Sequence, residues 1–164
     1  SVNTSHYTDP VVIHWIWSLL ERMGFSGGSI LEPSAGVGHF VGCMPLHVAK
    51  RSRITAIELD CVAGRMLRAL YAPFGVDVRI SGFEAAMLAD NFYDLVVTNV
   101  PFGRYGVRDD RNRPYSRASI HNWFVGRALD VIRPGGLCVA SRRRTSLTAW
   151  MRPCEPTSRR KPNS

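Results

Sequence analysis

Apolar residues along the chain follow two spacings, one typical of amphipathic helices and one typical of buried strands. Asp9 and Pro10 predict a helix start, the next apolar residues recur at helical spacing, and Gly24 predicts the helix end. Further helices are predicted from near Gly38 to a break at Pro45, over 61–71 and over 120–131. Short apolar runs predict five strands, at 29–31, 54–59, 76–80, 94–98 and 137–140.

Strands that alternate with helices predict an α/β fold with a doubly wound, mostly parallel sheet. Ligands of such sheets bind beyond the carboxyl ends of the strands. The residues that follow the predicted strands are therefore the first candidates for a functional site.

Basic residues are concentrated at the C-terminal end. The formal net charge is +8, and residues 142–164 hold seven of the 21 Lys and Arg residues against one acidic residue, Glu155. This segment has no apolar periodicity and contains three prolines. We expect one domain over 1–141, incomplete because it is truncated after the fifth strand, and a basic tail over 142–164 that is disordered or frame-shifted.

Membrane and metal sites are not predicted. The chain has no apolar run near the ~20 residues that cross a bilayer and no signal segment, so we expect a cytoplasmic protein. Its four cysteines lack the close Cys-x-x-Cys pairing of zinc sites, and we interpret them as inert thiols.

A glycine-containing turn follows the first predicted strand, in the sequence LEPSAGVGHF at 31–40. Gly36 and Gly38 allow the backbone to approach a ligand closely at the mouth of a helix. A dinucleotide fingerprint requires a further Gly or Ala where this chain has Val41. Glu32 can hold an ammonium group or an ordered water, which suits a cofactor that carries an amino acid better than one with a pyrophosphate. We favour a ligand site over a purely structural turn.

Glu58 lies near the end of the second predicted strand, 20 positions after Gly38. In this topology an acidic residue at that place accepts hydrogen bonds from ribose hydroxyls. The alternative is a cap on the next helix, for which Asp60 is the better candidate. A ribose ligand does not separate S-adenosylmethionine from a nicotinamide dinucleotide, because both carry a ribose diol.

The fourth predicted strand ends in TNVPFG, residues 98–103. An adenine amine is a poor nucleophile because its lone pair is delocalised into the ring. The side-chain oxygen of Asn99 and the carbonyl of Val100 can accept the two amine hydrogens and aim the nitrogen at a methyl donor. Pro101 fixes the turn, and Phe102 offers a face for a flipped base. The structural alternative is an Asx-type turn that closes the strand.

Together, LEPSAGVGHF, AIELD and TNVPFG resemble the amino-adenine (N-6) DNA methyltransferases, whose catalytic signature is Asn-Pro-Pro followed by Tyr or Phe. The resemblance covers residues 6 to about 140 and implies a Rossmann-like class I fold, S-adenosylmethionine as cofactor, and adenine in duplex DNA as substrate. It implies that Tyr7, Thr8 and Glu32 lie near the methionine part of the cofactor and Phe83 near its adenine. The expected cofactor site therefore comprises Tyr7, Thr8, Glu32, Pro33, Ser34, Ala35, Gly36, Gly38, Glu58 and Phe83.

One position departs from that family, because Val100 stands where the signature has proline. The variant NVPFG, with GFE before it and SIHNWF and RPGG after it, more closely resembles the methylase-like domain of large helicase-methylase proteins of mobile elements. This resemblance implies a fragment of a longer parent whose helicase part is a partner. It leaves open a non-catalytic cofactor-binding or docking remnant. A third alternative is an RNA or protein-glutamine methyltransferase, which also alkylates a planar amide-like nitrogen.

Two further features of the sequence are weaker candidates. His121 lies in the first turn of a predicted helix, and we favour a structural role over that of a general base. Arg104, Arg108, Arg111 and Arg113 lie in the loop after Asn99, where they can contact phosphates or simply be solvated.

Overall fold

The computed structural model describes residues 8–101, 107–109, 113–141 and 147–153. Within these residues, helices precede or connect the strands of one sheet. They are α1 (Pro10–Arg22), α2 (His39–Gly42), α3 (Leu46–Ala49), α4 (Cys61–Tyr71), a short 3₁₀ helix (Ala72–Phe74) and α5 (Ile120–Val131). The strands are β1 (Ser29–Glu32), β2 (Arg53–Glu58), β3 (Asp77–Ile80), β4 (Tyr93–Asn99), β5 (Ile132–Ser141) and β6 (Leu147–Met151).

The helix boundaries follow local signals in the sequence. Asp9 caps α1 by accepting a hydrogen bond from the N–H of Val11, and Asp60 caps α4 by accepting from Val62 and Ala63. Gly24 follows α1 with a φ of 92°, as the left-handed end of a helix requires. Pro45 lies between α2 and α3 and is the cap of α3, so the predicted break at this proline is confirmed.

The six strands form one sheet in the order β3-β2-β1-β4-β5-β6. All neighbouring pairs are parallel except β5 and β6. The chain order reverses between β1 and β4, which makes this pair the topological switch point of the sheet. The prediction of a doubly wound, mostly parallel α/β fold is confirmed.

The segment RPGG at 133–136 lies inside β5, which therefore begins before the strand predicted at 137–140. Tyr93 pairs with Ile132 and Leu95 with Leu137, so the intervening residues bulge from the ladder. Gly135 has a φ of 79°, and its N–H donates to the carbonyl of Arg152. The turn chemistry is therefore present, but as an irregularity within a longer strand.

The expectation that the sheet ends at its fifth strand, followed by a disordered segment, is wrong for residues 147–151. These residues form β6, which pairs antiparallel with β5 from Leu137↔Met151 to Ser141↔Leu147. Leu147 packs against one side of the sheet and Trp150 against the other, so the strand gains apolar contacts on both faces. The remainder of the predicted tail, 142–146 and 154–164, lies outside the described residues.

Two apolar layers flank the sheet. One contains Ile13, Ile16, Trp17 and Leu20 of α1 with Ile30, Leu95 and Val139 of the strands. A smaller cluster on the same side joins Leu67 of α4 to Ala56 and Val78. The opposite layer packs Ile120, Trp123, Phe124 and Ala128 of α5 against Leu31, Val96 and Cys138. We call these sides the α1/α4 face and the α5 face.

Candidate functional site

Three strands that surround the switch point end in polar residues. Glu32 ends β1, Glu58 ends β2 and Asn99 ends β4. Leu31 pairs with Val96, so Glu32 is level with Val97 and shares its face of the sheet. Asn99 lies two residues further along the same face, a displacement of about 7 Å. The ladder thus brings Glu32 and Asn99 to one crevice above the α1/α4 face.

Glu32 is a buried carboxyl with an unused acceptor. Only 2% of the residue is exposed, and its Oε2 has no hydrogen-bond partner among the described residues. Burial raises the pKa of the Glu32 carboxyl well above its usual value, the charge of Glu58 adds to the rise, and a backbone hydrogen bond from Val41 opposes it. A cation or hydrogen-bond donor that reached Oε2 would satisfy this atom.

Glu58 holds the glycine turn in place. Its Oε2 accepts a 2.6 Å hydrogen bond from the N–H of Gly36, and its Oε1 accepts a 2.8 Å hydrogen bond from the N–H of Asp60. Each carboxylate oxygen has a second acceptor site, so Glu58 can still accept hydrogen bonds from a ligand diol. The expected division of roles between Glu58 and the helix cap Asp60 is consistent with this geometry.

The glycine turn is shaped by two left-handed residues. Gly36 has a φ of 56° and Gly38 a φ of 89°. The N–H of Ala35 donates to the carbonyl of Ile57, which ties the turn to β2. Pro33 and Ala35 are buried and Ser34 is half-buried, so the turn lies close against the sheet.

A second structural reason requires glycine at position 38, and the sequence did not reveal it. A Cβ at this position would meet Cδ1 of Leu67 at 2.6 Å and the ring of Tyr71. Close approach of α2 to α4 therefore requires glycine here, independently of any ligand. Tyr71 belongs to this contact, and burial, followed by the charges of Glu32 and Cys43, raises the pKa of its hydroxyl.

The predicted catalytic loop follows the end of β4, and its first residue, Val100, packs on the α5 face. The N–H of Val100 donates to the carbonyl of Ser141 at 3.1 Å, and its side chain is buried, whereas Pro101 is half-buried. The preceding residue, Thr98, is buried with an unpartnered Oγ1 among the described residues. Phe102 and Tyr7 lie outside the described residues, and Thr8 is half-buried just before α1.

Phe83 is a core residue of the α5 face. It is 2% exposed, and its ring lies 5.4 Å from that of Trp123 and 5.3 Å from that of Phe124, measured between centroids. The turn that carries it begins at Ser81, whose N–H donates to the carbonyl of Glu58. Contact of Phe83 with a cofactor remains a prediction, and its side chain has a packing role of its own.

His121 lies on the α5 face of the sheet. It lines a cavity of about 340 Å³ on the α5 face, together with Val125, Leu129, Thr148 and Trp150. Val100 lines the same cavity, whereas Glu32 and Asn99 lie on the opposite face of the sheet. The structural role favoured for His121 therefore stays a prediction.

The loop before α5 is anchored by internal contacts. Asp109 accepts hydrogen bonds from Trp123 and Ser116. Arg113 donates to Tyr115 at 3.1 Å and lies 3.9 Å from Asp90 and 3.8 Å from Asp130. The charge of Arg113 is therefore compensated within the domain, which argues against the phosphate contact considered for it. Arg108 is exposed, and Arg104 and Arg111 lie outside the described residues.

A buried arginine below this loop was not predicted. Arg127 is 1% exposed, forms an ion pair with Asp90 and donates to the carbonyl of Leu88. The sequence held one signal of this buried ion pair, because Arg127 lies at helical spacing among apolar residues of α5. An arginine on a buried helix face requires a partner.

No group of three His, Cys, Asp or Glu side chains suited to a metal ion occurs in 8–101, 107–109, 113–141 or 147–153. Within the same ranges, every helix is too short or too polar to cross a bilayer.

Solved structures share this architecture. An S-adenosylmethionine-dependent O-methyltransferase from Thermotoga maritima matches with a TM-score of 0.57 and 12% identity over 84% of this chain and 46% of its own. TYW2 from P. horikoshii in complex with MeSAdo matches with a TM-score of 0.55 and 15% identity, over 86% of this chain and 47% of its own. A tRNA m1G37 methyltransferase from M. jannaschii matches with a TM-score of 0.53 and 16% identity, over 82% of this chain and 36% of its own.

The chain has the class I methyltransferase fold. Its crevice at the ends of β1, β2 and β4 is thus the switch-point crevice of that fold. No family model matches the sequence.

One curated relative resembles the sequence more directly. The Defense against restriction protein B of Escherichia phage P1 is 34% identical over 140 residues, which are 83% of this chain. The chain spans only 6% of the length of that phage protein. The class I methyltransferase fold of this chain therefore corresponds to a small segment of that relative.

Proposed function

We propose that this chain binds S-adenosylmethionine at the switch-point crevice and transfers its methyl group to the amino group of adenine in DNA. The observation that carries the proposal is the buried Glu32 carboxyl, with Oε2 unpartnered among the described residues. It lies at the strand end next to Glu58, in a fold shared with S-adenosylmethionine-dependent methyltransferases. An ammonium and a ribose diol are the two groups that these carboxylates suit, and this cofactor carries both.

Each proposed contact follows from the donors and acceptors present. Glu32 accepts from the methionine ammonium, and ionisation of its carboxyl is favoured by that positive charge. Glu58 keeps its hydrogen bonds from Gly36 and Asp60 and accepts the ribose hydroxyls with its remaining lone pairs. Tyr7, Thr8, Pro33, Ser34 and Ala35 complete the proposed cofactor site, with Phe83 beneath the adenine.

When bound, the cofactor supplies an electrophilic methyl group on a sulfonium. Asn99 and the Val100 carbonyl accept the two hydrogens of the target amine, which draws the nitrogen lone pair out of the ring and towards the methyl group. Pro101 restricts the turn, and Phe102 stacks on the flipped base. The methylated amine then loses a proton to water, so the reaction needs no side chain as a general base.

The phage relative supports a DNA substrate through its context alone. Its name refers to defence against restriction, which is a process that acts on DNA. A helicase part of a longer parent polypeptide is the corresponding proposed partner. The competing function is a non-catalytic cofactor-binding or docking module, favoured by Val100 in place of the signature proline. An RNA substrate is the third candidate, because the M. jannaschii enzyme with this fold methylates tRNA.

Cofactor binding is tested first. Titration calorimetry with S-adenosylmethionine and, separately, with NAD should show binding of the first and no binding of the second. Binding of NAD alone would overturn the cofactor assignment.

Methyl transfer is tested with labelled S-adenosylmethionine and duplex DNA. Asn99→Ala should reduce transfer at least about 100-fold and leave cofactor affinity nearly unchanged. Asn122→Ala, an exposed amide on α5, is the matched control and should retain transfer. Equal activity of Asn99→Ala and the parent would show that this loop is not catalytic. If both bind cofactor and neither methylates DNA or tRNA, the docking function replaces the catalytic one.

A further inference from the structure

Strand β6 forms one outer edge of the sheet. The strand order β3-β2-β1-β4-β5-β6 leaves its far side without a pairing strand among the described residues. An unpaired edge presents backbone N–H and C=O groups, and natural proteins protect such edges with charged side chains, proline or a bulge. The sequence of β6, LTAWM, contains no charged residue and no proline. The edge of β6 is therefore suited to pair with a further strand.

The hydrogen bonds of β5 and β6 show which residues face this edge. At one end, the N–H of Arg152 donates to the carbonyl of Gly136, towards β5. At the other end, the carbonyl of Ser141 accepts from the N–H of Val100, towards β4, so Leu147 opposite it belongs to a non-bonded pair. Bonded and non-bonded pairs alternate along an antiparallel ladder. The β6 residues that turn their backbone groups outward are therefore Leu147, Ala149 and Met151.

The outward-facing residues are symmetric about Ala149. A two-fold axis at this residue sets it opposite Ala149 of a second copy, and sets Leu147 opposite Met151 of that copy. Each of these is a hydrogen-bonded pair, in which the two residues exchange both N–H···O bonds. The resulting pairs use every outward N–H and C=O of both strands. A single register therefore satisfies the whole edge.

The side chains of β6 fit the same register. Leu147 packs on the α1/α4 face and Trp150 on the α5 face, so alternate residues share a face. On the α1/α4 face the register sets Leu147 beside Met151, with the small Ala149 at the axis. On the α5 face it sets Trp150 beside Thr148, a pair of an aromatic and a β-branched residue that stabilises sheets. No like charges stand opposite each other within the paired strands.

The charge and the chain next to β6 favour a second copy as the pairing strand. Arg152 follows β6, and its guanidinium donates to the carbonyls of Leu129 and Ile132 at 3.3 and 2.8 Å, within its own domain. Its charge is therefore directed away from the edge. The sequence 154–164 contains Pro156 and Pro162 and no apolar alternation, so it is a poor candidate for the pairing strand.

We propose that β6 pairs antiparallel with β6 of a second copy of this chain, about a two-fold axis at Ala149, and joins the two sheets into one. Strand β5 separates β6 from the strands of the crevice, so the interface lies outside the proposed cofactor site. Pairing of β6 does not depend on methyl transfer. A strand edge of five residues buries less than the ~800 Å² per partner of standard interfaces, so we expect a weak dimer.

Sedimentation velocity of the full chain at a series of concentrations tests for this dimer. We expect a monomer–dimer equilibrium with a Kd on the order of 100 μM. Ala149→Pro removes an outward N–H and no hydrogen bond to β5, so it should weaken the dimer at least tenfold and leave the domain folded. A chain that stays monomeric up to about 1 mM would overturn the proposal, in favour of a strand from another polypeptide.

Ala149→Glu and Ala149→Lys test the position of the axis. Ala149 is exposed, so both variants should fold, which circular dichroism checks. Each variant alone sets two like charges opposite each other and should be monomeric, whereas a 1:1 mixture sets opposite charges together and should restore the dimer. Ala69→Glu, at an exposed alanine of α4, is the matched control and should dimerise as the parent does. A dimer that any of the Ala149 variants retains alone, or a mixture that stays monomeric, would overturn the two-fold pairing.

Discussion

The N–H of Gly36 donates a 2.6 Å hydrogen bond to Oε2 of Glu58, so the glycine turn after β1 is tied to the end of β2. The same carboxylate accepts from Asp60 through Oε1. One side chain therefore positions both the turn and the start of α4. Because Glu58 is bonded to the turn, the binding of a ligand to Glu58 depends on the position of the turn.

Glu58→Ala should weaken S-adenosylmethionine binding by roughly 1 to 3 kcal/mol, because it removes the ribose acceptor and leaves the Gly36 N–H without its partner. Glu58→Gln retains one carbonyl oxygen and should lose less. Calorimetry on the two variants, with circular dichroism as a check on folding, measures the difference. Unchanged affinity in both variants would exclude Glu58 from the cofactor site.

The raised pKa of Glu32 makes stability depend on pH in a defined direction. The folded protein holds the Glu32 proton more tightly than the unfolded chain does, so the contribution of this group is full below its unfolded-state pKa. That contribution is lost as pH rises through the folded-state pKa. Glu32→Gln is always neutral, so it should be more stable than the parent at high pH and lose this advantage on acidification.

Thermal unfolding of the parent and Glu32→Gln between about pH 4 and pH 8 measures this change, with Glu84→Gln as the control variant. A difference in melting temperature that is constant with pH would contradict the assignment. Glu32→Gln should also bind S-adenosylmethionine more weakly at the upper pH, because it lacks the negative charge opposite the ammonium.

Gly38→Ala should destabilise the domain by about 2 kcal/mol or more, because it combines a left-handed φ of 89° with a Cβ placed against Leu67 and Tyr71. Gly24→Ala is the matched control: its φ is 92°, and a Cβ there meets nothing within 4 Å. It should cost only about 1 kcal/mol. Chemical denaturation gives both values, and equal losses would show that packing against α4 contributes nothing.

Removal of residues 142–164 should lower the melting temperature, because it deletes β6 and uncovers the edge of β5. A chain that ends at Pro153 keeps β6 and is the comparison. The expected loss in the shorter chain is several degrees, since a change of 1 kcal/mol shifts the melting temperature by about 2 to 8 °C in domains of this size class. If both chains melt together, β6 does not stabilise the sheet.

Local signals account for most of what could be predicted. The bounds of α4 follow from its Asp60 cap and helical spacing, and those of α5 from helical spacing. The polar ends of β1, β2 and β4 follow from strand runs that stop next to Glu32, Glu58 and Asn99. These features depend on a few neighbouring residues. Their common edge in the structure follows from parallel pairing alone.

The features that were missed depend on contacts between distant segments. The five residues of β6 are too few to show a clear alternation, and the arginines and prolines around them resemble those of a disordered tail. The approach of Tyr71 to Gly38 requires knowledge of how α2 packs on α4. Burial of Arg127 depends on Asp90, which lies 37 positions earlier in the chain.

The order of the strands has a consequence for how the chain folds during synthesis. Residues of β1 pair with residues of β2 that lie 24 positions later in the chain, as in Ser29↔Arg53. Their partners in β4 lie 65 positions later, as in Ile30↔Leu95. The half-sheet β3-β2-β1 can therefore assemble while β4 is still being made, with one side of β1 unpaired. The crevice lies at that seam, so the nascent chain acquires its ligand site only when the second half-sheet docks.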